Sequence, residues 1–351
     1  GRSPFMPVRF GIRLPPCEAP QRVAEAARQA EDGGFDDVWV PDSQLLAGVL
    51  LDPYVTLAVC AERTRDVRLG VGVANPFTRH PTATAASILS LDELSGKRVI
   101  LGMGSGGSAL TTIGREEEHL KGIHFSRRKA TRETVLLLRK LFEGKRIEFD
   151  GRPFQLRRAL RKIPIYVSAT GPKMLRLAGA VADGVIVQVG LHPEPLAFAI
   201  EQVRQGAEEA GRSLQEMEVV CSTFTSIHED RRIAIRRVKP VVAWLYAAAP
   251  YVLDLSGIAY TRRLPSRPIY PDISHPYDLE DAVHEADSYV SDGAAEKLAL
   301  TGTPAEAADQ LKEVAGRFPI RQFLLRDYST YQLPRELIRV MAEEVIPRIR
   351  A

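Results

Sequence analysis

The chain has 351 residues, room for one large α/β unit or two ordinary ones, and 45% hydrophobic content is enough to fill a core, which excludes a disordered chain. Lys and Arg (47) nearly balance Asp and Glu (44), and the basic clusters at 127–132 and 157–162 lack interleaved aromatics, so they read as solvated faces and no nucleic-acid partner is expected. Cys17, Cys60 and Cys221 stand far apart, which fits a reducing compartment and gives no metal-ligand spacing; no secretion signal or membrane span is visible, and a cytoplasmic location is expected.

Residues 1–5 precede Met6, the expected natural start of a single unit over 6–351. In chain order, 8–14 reads as a strand and 24–34 as a helix stopped by Gly33 and Gly34. A strand at 36–42 follows, then a helix at 52–64 whose Asp52 and Pro53 suit its first turn. Next come a strand at 68–75, a helix at 82–94 and a strand at 97–104. The spacing then loosens into a helix at 127–142 and a hairpin around Asp150-Gly151. Strands at 162–169 and 184–190 flank a helix at 172–182; a helix at 194–211 leads to a strand at 216–227. Residues 231–248 are helical in composition, with Pro240 expected to kink or divide them. After an irregular stretch at 264–278, Thr303, Pro304 and Glu306 open a capped helix, followed by a strand at 318–326 and a helix at 333–349. Eight strands alternating with helices, without a glycine-rich nucleotide fingerprint after the first, predict a closed (β/α)8 TIM barrel with insertions rather than a doubly wound sheet.

A barrel gathers the C-terminal strand ends into one mouth. There the sequence places Asp42, Gly72 to Asn75, Gly104 to Gly107, Ser168 to Gly171, Gly190 and Thr223 to Ser226. The stretch LGVGVANPFTRHP, 69–81, is the most informative: an apolar strand ending in glycines, an Asn-Pro step and a basic exit. Gly102, Gly104, Gly106 and Gly107 leave little side-chain volume where a flat ring can approach the backbone, although each alone reads equally as a turn former. Ala169, Thr170 and Gly171 precede a helix whose free N–H groups suit a phosphate, with Lys173 adding charge or serving as an ordinary surface lysine. Barrels more often keep a phosphate after strands seven and eight.

These segments resemble the bacterial-luciferase-like flavin and deazaflavin oxidoreductases, in particular the branch typified by methylenetetrahydromethanopterin reductases that use coenzyme F420. The resemblance runs from about Val8 to Ile349 and is most specific at GFDDVWVPD (34–42), GVGVANPFTRHPTATA (70–85), LDELSGKRVILGMGSGG (91–107) and VSATGPKMLRLAGAVADGVIV (167–187), with TGTPAEAADQL (301–311) in support. It implies a luciferase-like barrel, commonly a homodimer through early helices, with the ring at the C-terminal mouth. Asp42 would lie beside the ring head, Gly72 and Val73 at a bulge with a non-prolyl cis peptide behind the ring, and Asn75 at a polar ring contact. Ser105, Gly106 and Gly107 would line the ring by their backbone; Ala169, Thr170, Gly171 and Lys173 would form the phosphate-side wall, with Asp183 and Gly184 positioning the next strand. Two departures stand out: Ser43 where relatives often carry His after the Asp, and Arg13-Leu14 where sugar-oxidising members carry a carboxylate.

The implied chemistry is hydride transfer between a deazaflavin and an electrophilic carbon of a small conjugated, imine or carbonyl substrate, with Asp42, Asn75 and His80 as candidate catalytic residues and no metal. Arg79 and His80 read either as contacts to an anionic tail or as a cap of the following helix, and Arg326 either as an electrostatic closure of the mouth or as an intraprotein ion-pair partner. His275 reads as a substrate contact or a solvent-exposed side chain. An insertion near 250–290, with Tyr251, Tyr260, Tyr270 and Tyr277, is expected to shape the substrate pocket or to pack on the rim. FMN with monooxygenase chemistry is the alternative cofactor reading, and a non-catalytic binding or scaffold barrel the alternative of another class.

Overall fold

Each strand of the sheet pairs in parallel with its neighbour in sequence, and the last returns to the first. The computed structural model describes residues 8–112, 126–149, 151–157, 161–260 and 279–350. Strands β1 (Arg9–Arg13), β2 (Asp37–Val40), β3 (Arg68–Ala74), β4 (Val99–Met103), β5 (Ile165–Ala169), β6 (Gly184–Val187), β7 (Glu218–Ile227) and β8 (Gln322–Asp327) follow one another round the ring, and β8 lies between β7 and β1. The result is the expected eight-stranded parallel barrel with helices around it.

The helices are α1 (Pro20–Asp32), α2 (Pro53–Arg63), α3 (Pro81–Leu94), α4 (Arg127–Phe142), α5 (Pro172–Val181), α6 (Pro193–Glu209), α7 (Arg231–Ala248) and α8 (Pro304–Arg317), with a terminal helical stretch from Arg335 to Arg350 that passes through a π-helical turn at Met341–Val345. Six of them start on proline, which has no N–H to leave unpaired in the first turn and a φ already suited to the helix. Asp52 accepts from the Tyr54 and Val55 N–H groups, and Thr303 and Glu306 form a reciprocal capping box.

Two cores result. The larger lies between strands and helices; the smaller fills the barrel and consists of Trp39, Ile100, Tyr166, Ile186, Val220 and Leu324, with Val73 against it. The rings of Trp39 and Tyr166 have centroids 6.0 Å apart. They fit because glycines face them: a Cβ on Gly70 would lie 2.2 Å from the Trp39 ring, and one on Gly184 would lie 2.8 Å from Tyr166. Below this layer, inward side chains at the strand starts form a polar plug. Arg68 pairs with the fully buried Asp37, Arg9 and Tyr166 donate to Glu218, and Gln322 accepts from Arg68 at 3.5 Å. The plug closes the N-terminal end, so any site must use the other.

Several expectations need correction. Pro240 does not divide α7, which runs unbroken through it; packing against the helices Leu279–Asp287 and Asp292–Leu298 outweighs the missing N–H. The eighth strand begins at Gln322 rather than 318, because Phe318 still closes α8 by donating to the Val314 carbonyl. A short strand, Leu300–Gly302, pairs with the end of β7, and a short helix spans Gly107–Thr112; both went unread. The hairpin is present as Ile147–Phe149 against Arg152–Phe154, although Asp150 lies outside the described residues, as do Tyr270, His275, Tyr277 and the stretch 264–278.

Candidate active site

Alternation along the strands decides which side chains enter the mouth. Because Trp39, Ile100, Tyr166, Val220 and Leu324 point inward, so do Gly102 and Gly104, Ser168, Ser222 and Phe224, and Arg326. Above the aromatic layer, Arg13, Gly72, Val73, Ser105, Ser168, Gln188 and Arg326 are only half-buried, while the outward residues beside them are buried. The floor of the mouth is therefore open to a ligand.

One side of that floor is built by β3 and β4. The Gly72–Val73 peptide is cis, and the β3–β4 register shifts between Val71 and Ala74, so the bulge lies where the sequence put it. The bulge turns Val73 into the barrel. A Cβ on Gly102 would meet the Val71 carbonyl at 2.5 Å and Val73 at 3.0 Å, and one on Gly104 would meet Val73 at 2.6 Å. Gly106 has φ +75°, and its absent side chain makes room for Phe77. These glycines thus accommodate the bulge and its turn, a tighter requirement than open space. Gly107 begins the short helix beyond β4 and is exposed.

Asn75 spends its amide on that turn. Its Oδ1 accepts from the Phe77 and Thr78 N–H groups at 2.9 and 3.0 Å, and its Nδ2 donates to Thr78 Oγ1 at 3.0 Å. His80 caps α3, its Nδ1 accepting from the Thr82 N–H at 3.3 Å. Of the two readings of His80, the helix cap is the one the geometry displays.

Asp42, 2% exposed, sits at the rim between β2 and α2. It accepts from Gln44 Nε2 at 2.6 Å and from the Tyr54 hydroxyl at 3.3 Å, and Arg79 Nε lies 4.0 Å away. Arg79 also pairs with Asp52 and stacks over the Tyr54 ring at 4.5 Å. Burial pushes the Asp42 carboxyl up to about 6, against the pull of Arg79. It is thus poised to change charge near neutrality, as is Asp327 at the end of β8, whose carboxyl burial also pushes up to about 6. Ser43 shares a hydrogen bond of 3.1 Å with Ser108, tying the β2 exit to the short helix after β4.

Two strands further round, β5 ends at Ala169, and Thr170 and Gly171 lead into α5. No side chain caps this helix, and nothing lies within 4 Å of a Cβ built on Gly171, so the space before its first turn is open, although the Met174 and Leu175 N–H groups donate to the Gly171 carbonyl at 3.0 Å. Lys173 is exposed beside them. Tyr251, from the helix Pro250–Leu255, donates its hydroxyl to the Thr170 carbonyl and fixes the loop. Asp183, expected to position the next strand, accepts from the Ile165 N–H at 3.0 Å and from Arg139, binding the starts of β5 and β6 together. The β3 bulge and the Thr170 loop lie at the same end of the barrel.

The sequence pattern of the luciferase-like monooxygenases matches residues 4–319. The chain belongs to the luciferase-like monooxygenase family. Within it, the chain is 33% identical over 318 residues to the 5,10-methylenetetrahydromethanopterin reductase of Methanolobus tindarius, covering 87% of this chain and 90% of that one. The structure of the coenzyme F420-dependent tetrahydromethanopterin reductase of Methanopyrus kandleri superposes with a TM-score of 0.79 at 29% identity, covering 98% of this chain and all of that one. An F420-dependent secondary alcohol dehydrogenase superposes at 0.72 with 21% identity, over 99% and 100% of the two chains, a likeness of fold. This luciferase-like chain therefore stands close to the methylenetetrahydromethanopterin reductase branch. Among its described residues no group of three or more His, Cys, Asp or Glu side chains is placed to hold a metal, and no helix is long and apolar enough to cross a membrane.

Proposed function

We propose that this chain is a coenzyme F420-dependent oxidoreductase that moves a hydride between the deazaflavin and an electrophilic carbon of a small conjugated, imine or carbonyl substrate. The observation that carries the reading is the pairing, on one rim, of the Val73 bulge and the uncapped start of α5, in a chain 33% identical to a methylenetetrahydromethanopterin reductase.

The residues present fit such a cofactor. Gly171 leaves open space in front of the start of α5, where Ala169, Thr170 and Lys173 would receive a phosphate. Gly72 and Val73 would back one face of a flat ring, with the Ser105, Gly106 and Gly107 backbone along its edge. When bound, F420 supplies a two-electron hydride carrier. The protein's own work is placement. Val73, held by Gly102 and Gly104, sets the rear wall; Asn75 clamps the turn beyond it; Asp42, linked to Tyr54 and Arg79, holds or releases a proton at the rim. Rigid backing on one side and an open mouth on the other bring donor and acceptor carbons to reacting distance, which is where most of the rate would arise.

Fluorescence titration tests the cofactor: F420 is expected to bind in preference to FMN, after which candidate hydride partners are screened, a tetrahydropterin first. Tight retention of FMN with flavin-dependent oxygen consumption would reject the F420 assignment in favour of monooxygenase chemistry, and failure to bind either would favour a scaffold role.

The same proposal holds that the unit, spanning 6–351, works in the cytoplasm as a homodimer. Leu45, Val49, Leu51 and Val55 expose apolar side chains around the start of α2, with Leu45 61% and Val55 59% accessible, and a second copy is the occupant that suits them. Light scattering is expected to give a dimer mass, reduced to the monomer by Leu45→Glu with Val55→Glu.

A further inference from the structure

We propose that Arg13 and Arg326 form a second anion site in the mouth, which holds the carboxylate or phosphate of the substrate; the assignment to substrate rests on hydride transfer taking place in that mouth. Gly11 faces Trp39 and Gln322 inside the barrel, so Arg13, two residues on, points inward as well. Leu324 belongs to the interior layer, so Arg326 does too. Ile12 is level with Leu325 on the neighbouring strand, which places Arg13 and Arg326 side by side at the ends of β1 and β8. Both are half-buried and reachable from the mouth.

The two guanidiniums are held differently. Arg326 stacks over Phe224 at 4.1 Å and lies 6.0 Å from the Trp244 ring, which orients its plane. Arg13 donates from Nη1 to the Thr330 carbonyl at 3.0 Å, and among the described residues no carboxylate lies within 4.0 Å of it, leaving the rest of its five donors for another acceptor. The nearby Asp327 carboxylate is turned to the backbone and hydroxyl of Ser329. Below, level with Leu324, the inward Ser222 is 2% exposed and its hydroxyl has no partner among the described residues. Two adjacent cations with a buried, unanswered hydroxyl under them form the complement of an oxyanion with several acceptor atoms, and the fork of a guanidinium matches carboxylate or phosphate in a bidentate manner.

Ring order separates this site from the α5 start. β1 and β5 are four strands apart whichever way the barrel is followed, and β3 lies midway. A cofactor with its ring at β3 and its phosphate at β5 leaves Arg13 facing the other side of the mouth. The anion received there is carried by the partner that exchanges hydride.

The test is calorimetric titration of the full chain, with and without F420, using benzoate, phenyl phosphate and the neutral isostere benzamide. At least one of the two anions is expected to bind about tenfold or more tightly than benzamide, with Arg13→Gln and Arg326→Gln each removing most of that preference, Arg13→Lys retaining part of it, and F420 affinity unchanged. Preference for benzoate identifies a carboxylate substrate and preference for phenyl phosphate a phosphorylated one. Equal binding of anions and benzamide, or an anion preference untouched in a folded Arg13→Gln or Arg13→Lys variant, would overturn the site. A parallel loss of F420 and probe binding in Arg13→Gln would overturn its assignment to substrate. Arg13-dependent probe binding in a chain that does not take up F420 would uphold the anion site and refute the cofactor reading alone.

Discussion

Val73 occupies the space that a side chain at position 104 would need: a Cβ on Gly104 lies 2.6 Å from Val73 Cγ2. Valine is stiff at χ1 and cannot swing aside without moving the bulge. Gly104→Ala is therefore expected to destabilise the protein by about 1–3 kcal/mol and to weaken cofactor binding about tenfold or more, read by urea unfolding and F420 titration. Val73→Ala with Gly104→Ala should recover stability without recovering affinity, because the rear wall is gone.

Asp42 gives a pH signature. Its carboxyl, raised from 3.8 to about 6 by burial, holds a proton in the folded state through a window where the unfolded chain has released it. Stability attributable to this group is then greatest below the window and falls as pH rises from about 4 to about 6. Asp42→Asn mimics the protonated form. Relative to the parent it is expected to be more stable at pH 7 than at pH 4.5, by roughly 2 kcal/mol, measured by denaturant unfolding at the two values. No change in the difference between the two proteins would show that the group titrates normally.

Tyr251 reaches the Thr170 carbonyl from an insertion, so it ties that insertion to the loop proposed to receive the phosphate. Tyr251→Phe removes the donor and keeps the ring. F420 affinity should fall about two- to tenfold, as for one hydrogen bond, while the melting temperature moves little; an unchanged affinity would mean that the loop holds itself.

Arg68 anchors the N-terminal plug through the buried Asp37 carboxylate. Arg68→Met leaves that carboxylate with only the weaker approach of Arg9 at 3.9 Å, and should destabilise the barrel by about 3–5 kcal/mol. Adding Asp37→Leu should restore much of it. Cofactor affinity in the surviving folded fraction should be unaltered, since the plug and the mouth are at opposite ends.

Most of the barrel could be read from the strands because they are short apolar runs alternating with helices, most of which start on proline. Their order in the ring is their order in sequence, so no long-range guess was needed. The plug was illegible for the opposite reason. Arg9, Asp37, Arg68, Glu218 and Gln322 are scattered over more than three hundred residues, and only strand register brings them together; the available signal was a polar residue at the start of each of these five strands. Glycines at 70 and 184 likewise became meaningful only once Trp39 and Tyr166 were seen to fill the interior. At the mouth, the Gly-Val bulge and the Thr170 loop were visible in the sequence, whereas the engagement of Asn75 and His80 in local turns depends on hydrogen bonds that residue type alone leaves open. Pro240 does not divide α7 because the helices that pack on it hold both sides of the proline in one helix.

The position of β8 has a consequence for biosynthesis. Residues 322–327 fill the gap between β1 and β7, so a nascent chain on the ribosome carries two open sheet edges until this strand has been translated. Premature termination upstream of Gln322 would release a molecule with both edges exposed, a natural client for chaperones and proteases.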